Sequence, residues 1–511
     1  MNETENQKIF NPKKIFSVSL KGKLLRSVFH SRMRRIERMM RYPIEAQYEA
    51  FTQLLKVGAN TDFGRRYEVD MVETVEDFQT HIPLSNYDSM GDYLCQMMDG
   101  EADVTTRGVI GMFARSSGTT SGRSKYVPIT RRALWCNHLR GMQDVITLYL
   151  EAYPASHILE GKALTLGGSC NRVGHALVGD LSALLMERTR LMEGWFRVPR
   201  TETALLPDFE QKVERICREC TSENITSFAG VPSWNLALMR RVLEYTGRRD
   251  LREVWSGLEL FVHGGVGFTP YRKAFAELFP SGDIRYMETY NASEGFFAIA
   301  DDPSREDMLL MLDYGTFYEF REGESIVPLE DIRTGIPYAM VITSTNGLWR
   351  YEIGDVVEFT STTPYRLRIV GRTKQYINAF GEELIVDNVE QALKSVCRLT
   401  GVCIEEYTIA PQYMSADKQG LHEWLVEFTE EPRDIERFAE VLDATLMTLN
   451  SDYEAKRQST MCRLEIESLP RGTMQRWLTA TGRNKVPRLC NDRAILDEMR
   501  VFVRKEKDKE D

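Results

Sequence analysis

The alternation of short β-type runs with helical stretches of ten or more residues most constrains how this chain can fold. The β-type runs in its middle include KALTLGG, LELFVHGG and YAMVITS, and the helical stretches include VPSWNLALMRRVLEYTG. Such an alternation favours an α/β domain with a substantial sheet. The 511 residues exceed what a single hydrophobic core supports, so we expect at least two domains.

The two ends of the chain differ from this middle. Residues 31 to 57 are predicted to form one or two helices interrupted at Tyr42-Pro43, because proline pushes the preceding residue away from the α region. From about Arg350, short strands follow one another closely. Beyond them we predict the helix VDNVEQALKSVCRLT, two strands, a long helix over about 432 to 453, the strand RLEIESLP and a closing helix near 492 to 503. This texture suggests a small second domain.

Composition excludes several classes of protein. Apolar residues make up 42% of the chain and charged residues 27%, as in ordinary folded proteins. No apolar run approaches the ~18 residues of a membrane span, and the N-terminus does not resemble a secretory signal, so we expect a cytoplasmic protein. Nine scattered cysteines argue against a disulfide framework. For Cys217-x-x-Cys220 a structural role is favoured over a zinc or redox site.

The net charge of −10 is unevenly distributed. Residues 1 to 41 carry about +8 and the remainder about −18. Because most of the chain is acidic, we expect neither a general nucleic-acid-binding surface nor a nucleic-acid partner. The basic segment SRMRRIERMMRYPIEAQYEAFTQLLKVG, residues 31 to 58, could contact anionic lipid or nucleic acid, but its apolar residues recur at helical spacing. A helix with a solvated charged face is therefore favoured.

A segment rich in glycine and hydroxyl residues, SSGTTSGRSK over residues 116 to 125, is the strongest single motif. It follows the apolar run GVIGMFA. Backbone N–H groups, hydroxyls and the terminal lysine of such a segment suit phosphate oxygens, which predicts a phosphate cradle. It is not a Walker A loop, which requires lysine directly after the second glycine. An ordinary Ser/Gly turn is the alternative.

A second polar segment, TYNASEG over residues 289 to 295, follows a candidate strand. A carboxylate beside a polyphosphate needs an intervening cation, so Glu294 is a candidate Mg²⁺ ligand next to the Ser293 hydroxyl. A polar turn at a strand end explains the segment equally well.

A third segment, YEIGD over residues 351 to 355, offers Asp355 as an acceptor for both hydroxyls of a ribose. The alternative is an ordinary Gly-Asp turn. Twenty residues later, GRTKQYIN leads into GEELI, and its position between two textures suggests a hinge.

Taken in order, these segments resemble the motifs of the acyl-adenylate-forming superfamily: S-[ST]-G-T-T-G-x-x-K-like, Y-x-x-[ST]-E, Y-x-x-G-D and G-R-x-x-x-x-I-x-x-x-G-x-x-I. The likeness is greatest to the auxin-responsive acyl acid amido synthetases and their bacterial relatives. It extends from NTDFG at residues 60 to 64 to NKVPR at residues 484 to 488, nearly the whole chain.

The resemblance implies a large N-terminal adenylate-forming α/β domain (1–370), a hinge (371–376) and a smaller mobile α+β C-terminal domain (377–511). It also implies ATP and Mg²⁺ as cofactors, with Glu294 as metal ligand and catalytic residue and Lys374 as the hinge residue. The implied ATP-binding residues are Ser116, Ser117, Gly118, Thr119, Thr120, Lys125, Gly264, Gly265, Thr289, Tyr290, Ser293, Asp355 and Arg372.

The sequence departs from the superfamily at one motif. Many adenylating enzymes carry a catalytic lysine in a late P-x-x-G-K block, whereas LPRGTMQR has none. Lys485 is the nearest substitute and is our candidate catalytic lysine, with Arg476 as the alternative group for stabilising pyrophosphate.

The function implied by the resemblance is a ligase that adenylates a carboxylic acid and transfers the acyl group to an amine, expected to be an amino acid. Its partners are then small-molecule substrates. One alternative is transfer to coenzyme A, which would give a thioester. The other is a nucleotide-binding scaffold that has lost catalysis. The sequence leaves the acid, the acceptor and the oligomeric state open.

Overall fold

A computed structural model gives the fold of residues 20–116, 125–282, 284–373, 375–402, 404–415, 418–483 and 485–510. The strands are β1 (Met112–Ser116), β2 (Lys125–Pro128), β3 (Lys162–Thr165), β4 (Cys170–Val173), β5 (Ala176–Gly179), β6 (Arg197–Val198), β7 (Ile225–Gly230), β8 (Leu260–Gly264), β9 (Arg285–Asn291), β10 (Phe296–Ile299), β11 (Met308–Leu310), β12 (Thr316–Glu322), β13 (Ser325–Pro328), β14 (Pro337–Ser344), β15 (Tyr351–Thr362), β16 (Tyr365–Arg372), β17 (Tyr376–Ile377), β18 (Leu384–Ile385), β19 (Ile404–Gln412), β20 (Leu421–Phe428) and β21 (Glu465–Leu469).

The α-helices are α1 (Leu20–Arg41), α2 (Pro43–Gly58), α3 (Asp62–Arg66), α4 (Val75–His81), α5 (Gly91–Asp99), α6 (Arg131–Ala133), α7 (Leu139–Ala152), α8 (Leu181–Arg188), α9 (Thr201–Ala204), α10 (Phe209–Cys220), α11 (Pro232–Thr246), α12 (Leu251–Val254), α13 (Arg272–Ala276), α14 (Val386–Thr400), α15 (Ile435–Leu449), α16 (Ser451–Arg457), α17 (Thr473–Thr481) and α18 (Ala494–Glu510). A π-helical turn, Leu134–His138, joins α6 to α7.

The large sheet has the strand order β13-β12-β14-β15-β16-β11-β10-β9-β8-β7-β3-β6. Strands β6, β3, β7, β8 and β9 run parallel, and from β9 to β13 every neighbouring pair is antiparallel. The expected α/β class is confirmed. Because β15 and β16 belong to this sheet, the change of texture at Arg350 does not mark its end.

A smaller sheet holds the start of the predicted phosphate cradle. Its strand order is β2-β1-β5-β4, and antiparallel pairing of β1 with β2 places Ser116 opposite Lys125. The residues between them, 117 to 124, lie outside the described part of the chain. Ser117, Gly118, Thr119 and Thr120 are among these.

The N-terminal helices form as predicted, with Tyr42 in a non-helical conformation between α1 and α2. Met33, Ile36 and Met39 pack α1 into the core. Arg32 is buried and bonds Asp144 in α7, with its Nη2 2.6 Å from Asp144 Oδ2. The basic helix is thus a structural element with a charged outer face.

In the C-terminal part, the sheet β19-β20-β21 separates two apolar clusters. Trp424 and Ile409 face the cluster that includes α14 and α15, whereas Ala410 and Leu425 face the cluster of α17 and α18. Two expectations were wrong here. The long helix over 432 to 453 is divided into α15 and α16, and α17 was not predicted.

The division at Asn450 has a clear physical cause. Asn450 is extended, and its Oδ1 accepts hydrogen bonds from the backbone N–H groups of Asp452 and Tyr453. Its Nδ2 donates to the Glu383 carbonyl at 3.2 Å. The asparagine therefore caps the second helix instead of continuing the first.

The apolar cluster around α14 and α15 continues into the large domain, where it includes Leu236 and Phe261. Hydrogen bonds cross the same boundary, among them those from Tyr271 Oη to the Ala379 carbonyl at 2.6 Å and from Ser233 Oγ to the Phe380 carbonyl at 2.8 Å. The C-terminal part is thereby packed against the edge at which β7 and β8 end.

Two further findings concern the described residues only. None of the helices there is long and apolar enough to cross a membrane. Nor do the described residues contain a group of three or more His, Cys, Asp or Glu side chains arranged to hold a metal ion. Cys217 and Cys220 are buried in α10, and burial raises the pKa of their thiols to about 11 and about 12, as a structural role implies.

Candidate active site

The carboxyl ends of β8 and β9 bring the glycines at residues 264 and 265 and the second polar segment together at one edge of the large sheet. Gly264 ends β8, and a Cβ placed on it would lie 2.5 Å from the Thr289 carbonyl oxygen of β9, so only glycine fits there. Thr289 Oγ1 donates to the His263 carbonyl at 3.2 Å. Gly265 has a φ of +82°. Ligands of open α/β sheets bind at such an edge.

A tight turn after β9 carries Glu294. Ala292 and Gly295 exchange backbone hydrogen bonds of 2.8 and 3.3 Å across it. Asn137, from the π-helical turn, accepts a 2.6 Å bond from the backbone N–H of Phe296 and so fixes the end of the turn. The Glu294 side chain lies within the protein, since the residue is only 8% exposed. Ser293 beside it is half-buried.

Asp355 is the centre of a buried hydrogen-bond network. The register of β15 with β16 sets it opposite Arg372, whose Nε donates to Asp355 Oδ1 at 2.7 Å. Tyr290 Oη donates to Asp355 Oδ2, also at 2.7 Å. Arg372 Nη2 donates in turn to Glu383 Oε1 at 3.3 Å. Three predicted residues, Asp355, Arg372 and Tyr290, therefore meet directly.

Electrostatics tie Glu294 to this network. Burial raises the pKa of the Glu294 carboxyl, the charge of Lys125 lowers it, and the carboxylates of Glu383 and Asp355 raise it further. Lys125 begins β2 and lies opposite Ser116. The ends of the phosphate segment thus lie within electrostatic reach of Glu294, and a cation placed among these carboxylates would relieve their mutual repulsion.

Comparison with known proteins gives the family. The GH3 family N-terminal domain matches residues 32–175 and 169–284, the central domain matches 309–372, and the C-terminal domain matches 387–494. The chain belongs to the GH3 family. This confirms the predicted resemblance to the acyl acid amido synthetases.

Individual relatives of this GH3 protein are distant but match over most of their length. It is 22% identical to the indole-3-acetic acid-amido synthetase GH3.10 of Arabidopsis thaliana, over 89% of this chain and 93% of that protein. The AtGH3.15 acyl acid amido synthetase in complex with 2,4-DB has a similar fold, with a TM-score of 0.61, 17% identity and coverage of 94% and 97%. A 2-hydroxyisobutyryl-CoA ligase in complex with 2-HIB-AMP and CoA gives a TM-score of 0.60 at 15% identity, with coverage of 90% and 93%.

The roles assigned to all the predicted site residues stay predictions, including those of Lys485, Arg476 and Lys374. Lys485 is exposed, and its neighbour Val486 packs into the cluster of α17 and α18 on the outer face of the C-terminal sheet. Arg476 pairs with Glu506 at 2.9 Å. Lys374 lies outside the described residues.

Two residues that sequence reasoning did not single out complete the site of this GH3 protein. Glu383 binds Arg372 and has a φ of +38°, a backbone conformation that is strained for any residue other than glycine. Asn378 Nδ2 donates to the Gly265 carbonyl at 2.9 Å and links the segment after the predicted hinge to the end of β8. Both residues belong to the segments GRTKQYIN and GEELI noted in the sequence, but neither was singled out there.

Proposed function

We propose that this GH3 protein is an ATP-dependent ligase that activates a carboxylic acid as its acyl-adenylate and transfers the acyl group to the amine of an amino acid. One observation carries the proposal. Tyr290, Asp355 and Arg372, from three of the predicted motifs, are joined by hydrogen bonds of 2.7 Å near the end of β9, four residues before Glu294. The name of the Arabidopsis relative, an amido synthetase, supports an amine acceptor over a thiol.

The nucleotide would lie along this edge. The phosphate segment between Ser116 and Lys125 would hold the phosphates of ATP, and Gly264 and Gly265 would line the adenine side. A carboxylate has about four lone-pair sites. Asp355 uses two of its sites for Arg372 and Tyr290, so two remain for the hydroxyls of the ribose.

The residues present also fit a magnesium ion. Glu294 is a buried carboxylate whose ionised form is disfavoured by burial and by two neighbouring carboxylates. A divalent cation would favour that ionised form, and Mg²⁺ is held in proteins by one or two carboxylates together with substrate phosphates. Glu294 would hold the ion, with Ser293 beside it. The ion would supply charge neutralisation at the phosphates.

The chemistry proceeds in two half-reactions. A carboxylate oxygen attacks the α-phosphorus of ATP, and the bond from that phosphorus to the bridging oxygen breaks, which releases pyrophosphate. The amine nitrogen then bonds to the acyl carbon, the bond from that carbon to the oxygen it shares with the phosphate breaks, AMP leaves with this oxygen, and the proton lost by the nitrogen passes to water. Positioning and charge stabilisation suffice, so no covalent protein intermediate is needed.

Acid-dependent exchange of labelled pyrophosphate into ATP, screened over aryl and aliphatic acids, tests the first half-reaction. Product analysis with the twenty standard amino acids or coenzyme A tests the second. We expect exchange with at least one class of acid, and an amide product. A thioester without any amide would overturn the acceptor, and a folded protein that shows no exchange with any acid would overturn the ligase proposal.

Location in the cytoplasm is part of the proposal. The described cysteines are free thiols, as a reducing compartment favours. Recovery of the protein in an oxidising compartment after cell fractionation would contradict it.

A further inference from the structure

Two buried lysines flank one tryptophan where the C-terminal part meets the large domain. Lys456 of α16 is 6% exposed and Lys212 of α10 is 4% exposed. The Nζ atoms of Lys456 and Lys212 lie 3.8 and 5.7 Å from the centroid of the Trp234 ring. Lys212 Nζ also donates to the Gly167 carbonyl at 2.6 Å. We refer to Lys212 and Lys456 as the lysine pair.

Lys456 makes a contact with the Trp234 ring, and among the described residues its Nζ has neither an ion pair nor a hydrogen bond. Four carboxylates act on it from a distance, those of Asp452, Asp180, Glu382 and Glu383. Three of them accept other hydrogen bonds: Asp180 from the Ser169 N–H at 2.7 Å, Glu382 from the Ala379 N–H at 3.0 Å, and Glu383 from Arg372. Burial lowers the pKa of Lys456, and Asp452, Asp180, Glu382 and Glu383 only oppose that shift. A buried charge without a partner is costly, so a bound anion would be favoured there.

The lysine pair lies at the same sheet edge as the nucleotide site. Gly167 follows β3 and Trp234 follows β7, whereas Glu294 follows β9. Neighbouring strands are about 4.8 Å apart, so two to three strand spacings separate the pair from Glu294, on the order of 10 to 15 Å.

A short series of close contacts joins the lysine pair to the end of β8. A Cβ placed on Gly381 would lie 2.9 Å from Lys456 Cε and 3.5 Å from Val231 Cγ1. A Cβ placed on Gly265 would lie 3.6 Å from Val231 Cγ2. The pair therefore borders the proposed adenylate site on the side of the C-terminal part.

A cavity of about 250 Å³ adjoins the same three helices. It is lined by Phe209 of α10, Ala237 of α11 and Ser459, which follows α16. Ala237 lies three positions after Trp234 in α11, and residues at that spacing lie on the same face of a helix. The cavity lies between the large domain and the C-terminal part, next to the helices that carry the lysine pair, and its lining includes neither lysine.

We propose that the lysine pair binds the carboxylate of the amino-acid acceptor. This inference rests on the proposed ligase function. Lys212 belongs to the large domain and Lys456 to the C-terminal part, so the carboxylate site is complete only when the C-terminal part is packed as observed here. The pair consequently acts in acyl transfer and has no part in adenylation.

The test compares acceptors with and without a carboxylate in Lys456→Met and Lys212→Met variants. Adenylation is followed by pyrophosphate exchange and by trapping of the acyl-adenylate with hydroxylamine, a nucleophile without a carboxylate. Transfer is followed with the accepted amino acid and with its α-carboxamide. Lys273→Met, at an exposed position of α13, is the matched control.

We expect each lysine variant to raise the KM for the amino acid by about tenfold or more, since hydrogen bonds to charged groups contribute that much. Exchange, hydroxamate formation and the KM for the carboxamide should stay within about threefold of the control. Lys456→Arg should recover part of the affinity for the amino acid. Methionine retains the apolar stem and removes the buried charge, so the variants should fold, which thermal melting checks.

Three results would overturn the inference: an unchanged KM for the amino acid, equal losses with the amino acid and its carboxamide, or wild-type exchange without any amino-acid conjugate. Absence of exchange in the wild type would instead refute the ligase function on which the inference rests.

Discussion

Replacing Asp355 with asparagine tests how the nucleotide is held. Asp355 is 6% exposed, and one of its oxygens bonds Arg372 while the other accepts from Tyr290. If the remaining lone pairs accept the two ribose hydroxyls, the amide keeps one acceptor oxygen and loses the other. The expected loss is thus about one hydrogen bond to a charged group.

The magnitude follows from that count. A hydrogen bond to a charged group contributes roughly 1.5 to 3 kcal/mol, which corresponds to a rise of roughly 10- to 150-fold in the Kd for ATP. Calorimetric titration of each protein with ATP and Mg²⁺ measures this Kd. Arg372 retains Glu383 as a partner, so the variant should still fold, and a thermal melt without nucleotide checks this.

The matched control is Glu358→Gln, which makes the same acid-to-amide change on the same strand, at a carboxylate that pairs with Arg368. It leaves the carboxylate of Asp355 intact, so the Kd for ATP should stay within about threefold of the wild type. If Asp355→Asn binds ATP within twofold of the wild type, or if the two variants lose affinity equally, the assignment of Asp355 to the ribose is wrong.

Three further predictions concern other parts of the protein. Glu294→Gln should reduce the Mg²⁺-dependent rate of adenylation by about 10- to 100-fold, and a normal magnesium titration in exchange assays would contradict this. Arg32→Met leaves the Asp144 carboxylate buried without its cation, so it should lower the free energy of unfolding by about 3 to 5 kcal/mol, measured by urea titration. The control Arg38→Met, at an exposed position, should change the free energy of unfolding by less than about 0.5 kcal/mol. Burial lowers the pKa of His138 to about 4, so the unfolded chain binds more protons between pH 4 and 6.5, and stability falls as the pH falls through that range. The loss should be roughly 2 kcal/mol between pH 7 and 5, and His138→Gln should flatten that dependence; an equal slope in both proteins would refute it.

Local signals predicted several elements to the residue. Helix α14 covers Val386–Thr400, the predicted segment, because its apolar face recurs at helical spacing and Gly401 ends it with a φ of +72°. Strand β15 covers the predicted YEIGDVVEFTST, since alternate residues are buried along it. Both patterns depend on neighbours within one element, so the letters alone suffice.

Elements that depend on distant partners were not predicted. The division at Asn450 is stabilised partly by its bond to the Glu383 carbonyl, 67 residues away in the chain. At the start of helix α17, the buried Glu427 carboxylate accepts hydrogen bonds from the backbone N–H groups of Gly472 and Met474. Neither partner is recognisable from local spacing, because both contacts exist only once the C-terminal sheet has formed.

The sequence by itself determined the chemical groups available, namely a phosphate-binding segment, one carboxylate for a metal and one for a ribose, and with them the family. Only the tertiary structure decided which groups meet. It placed Tyr290 on Asp355, 65 positions away, and Lys456 of the C-terminal part against the Trp234 ring of the large domain. The physical reason is that strand order and domain packing bring together residues hundreds of positions apart, and the cost of burying a charge depends on what surrounds it in space.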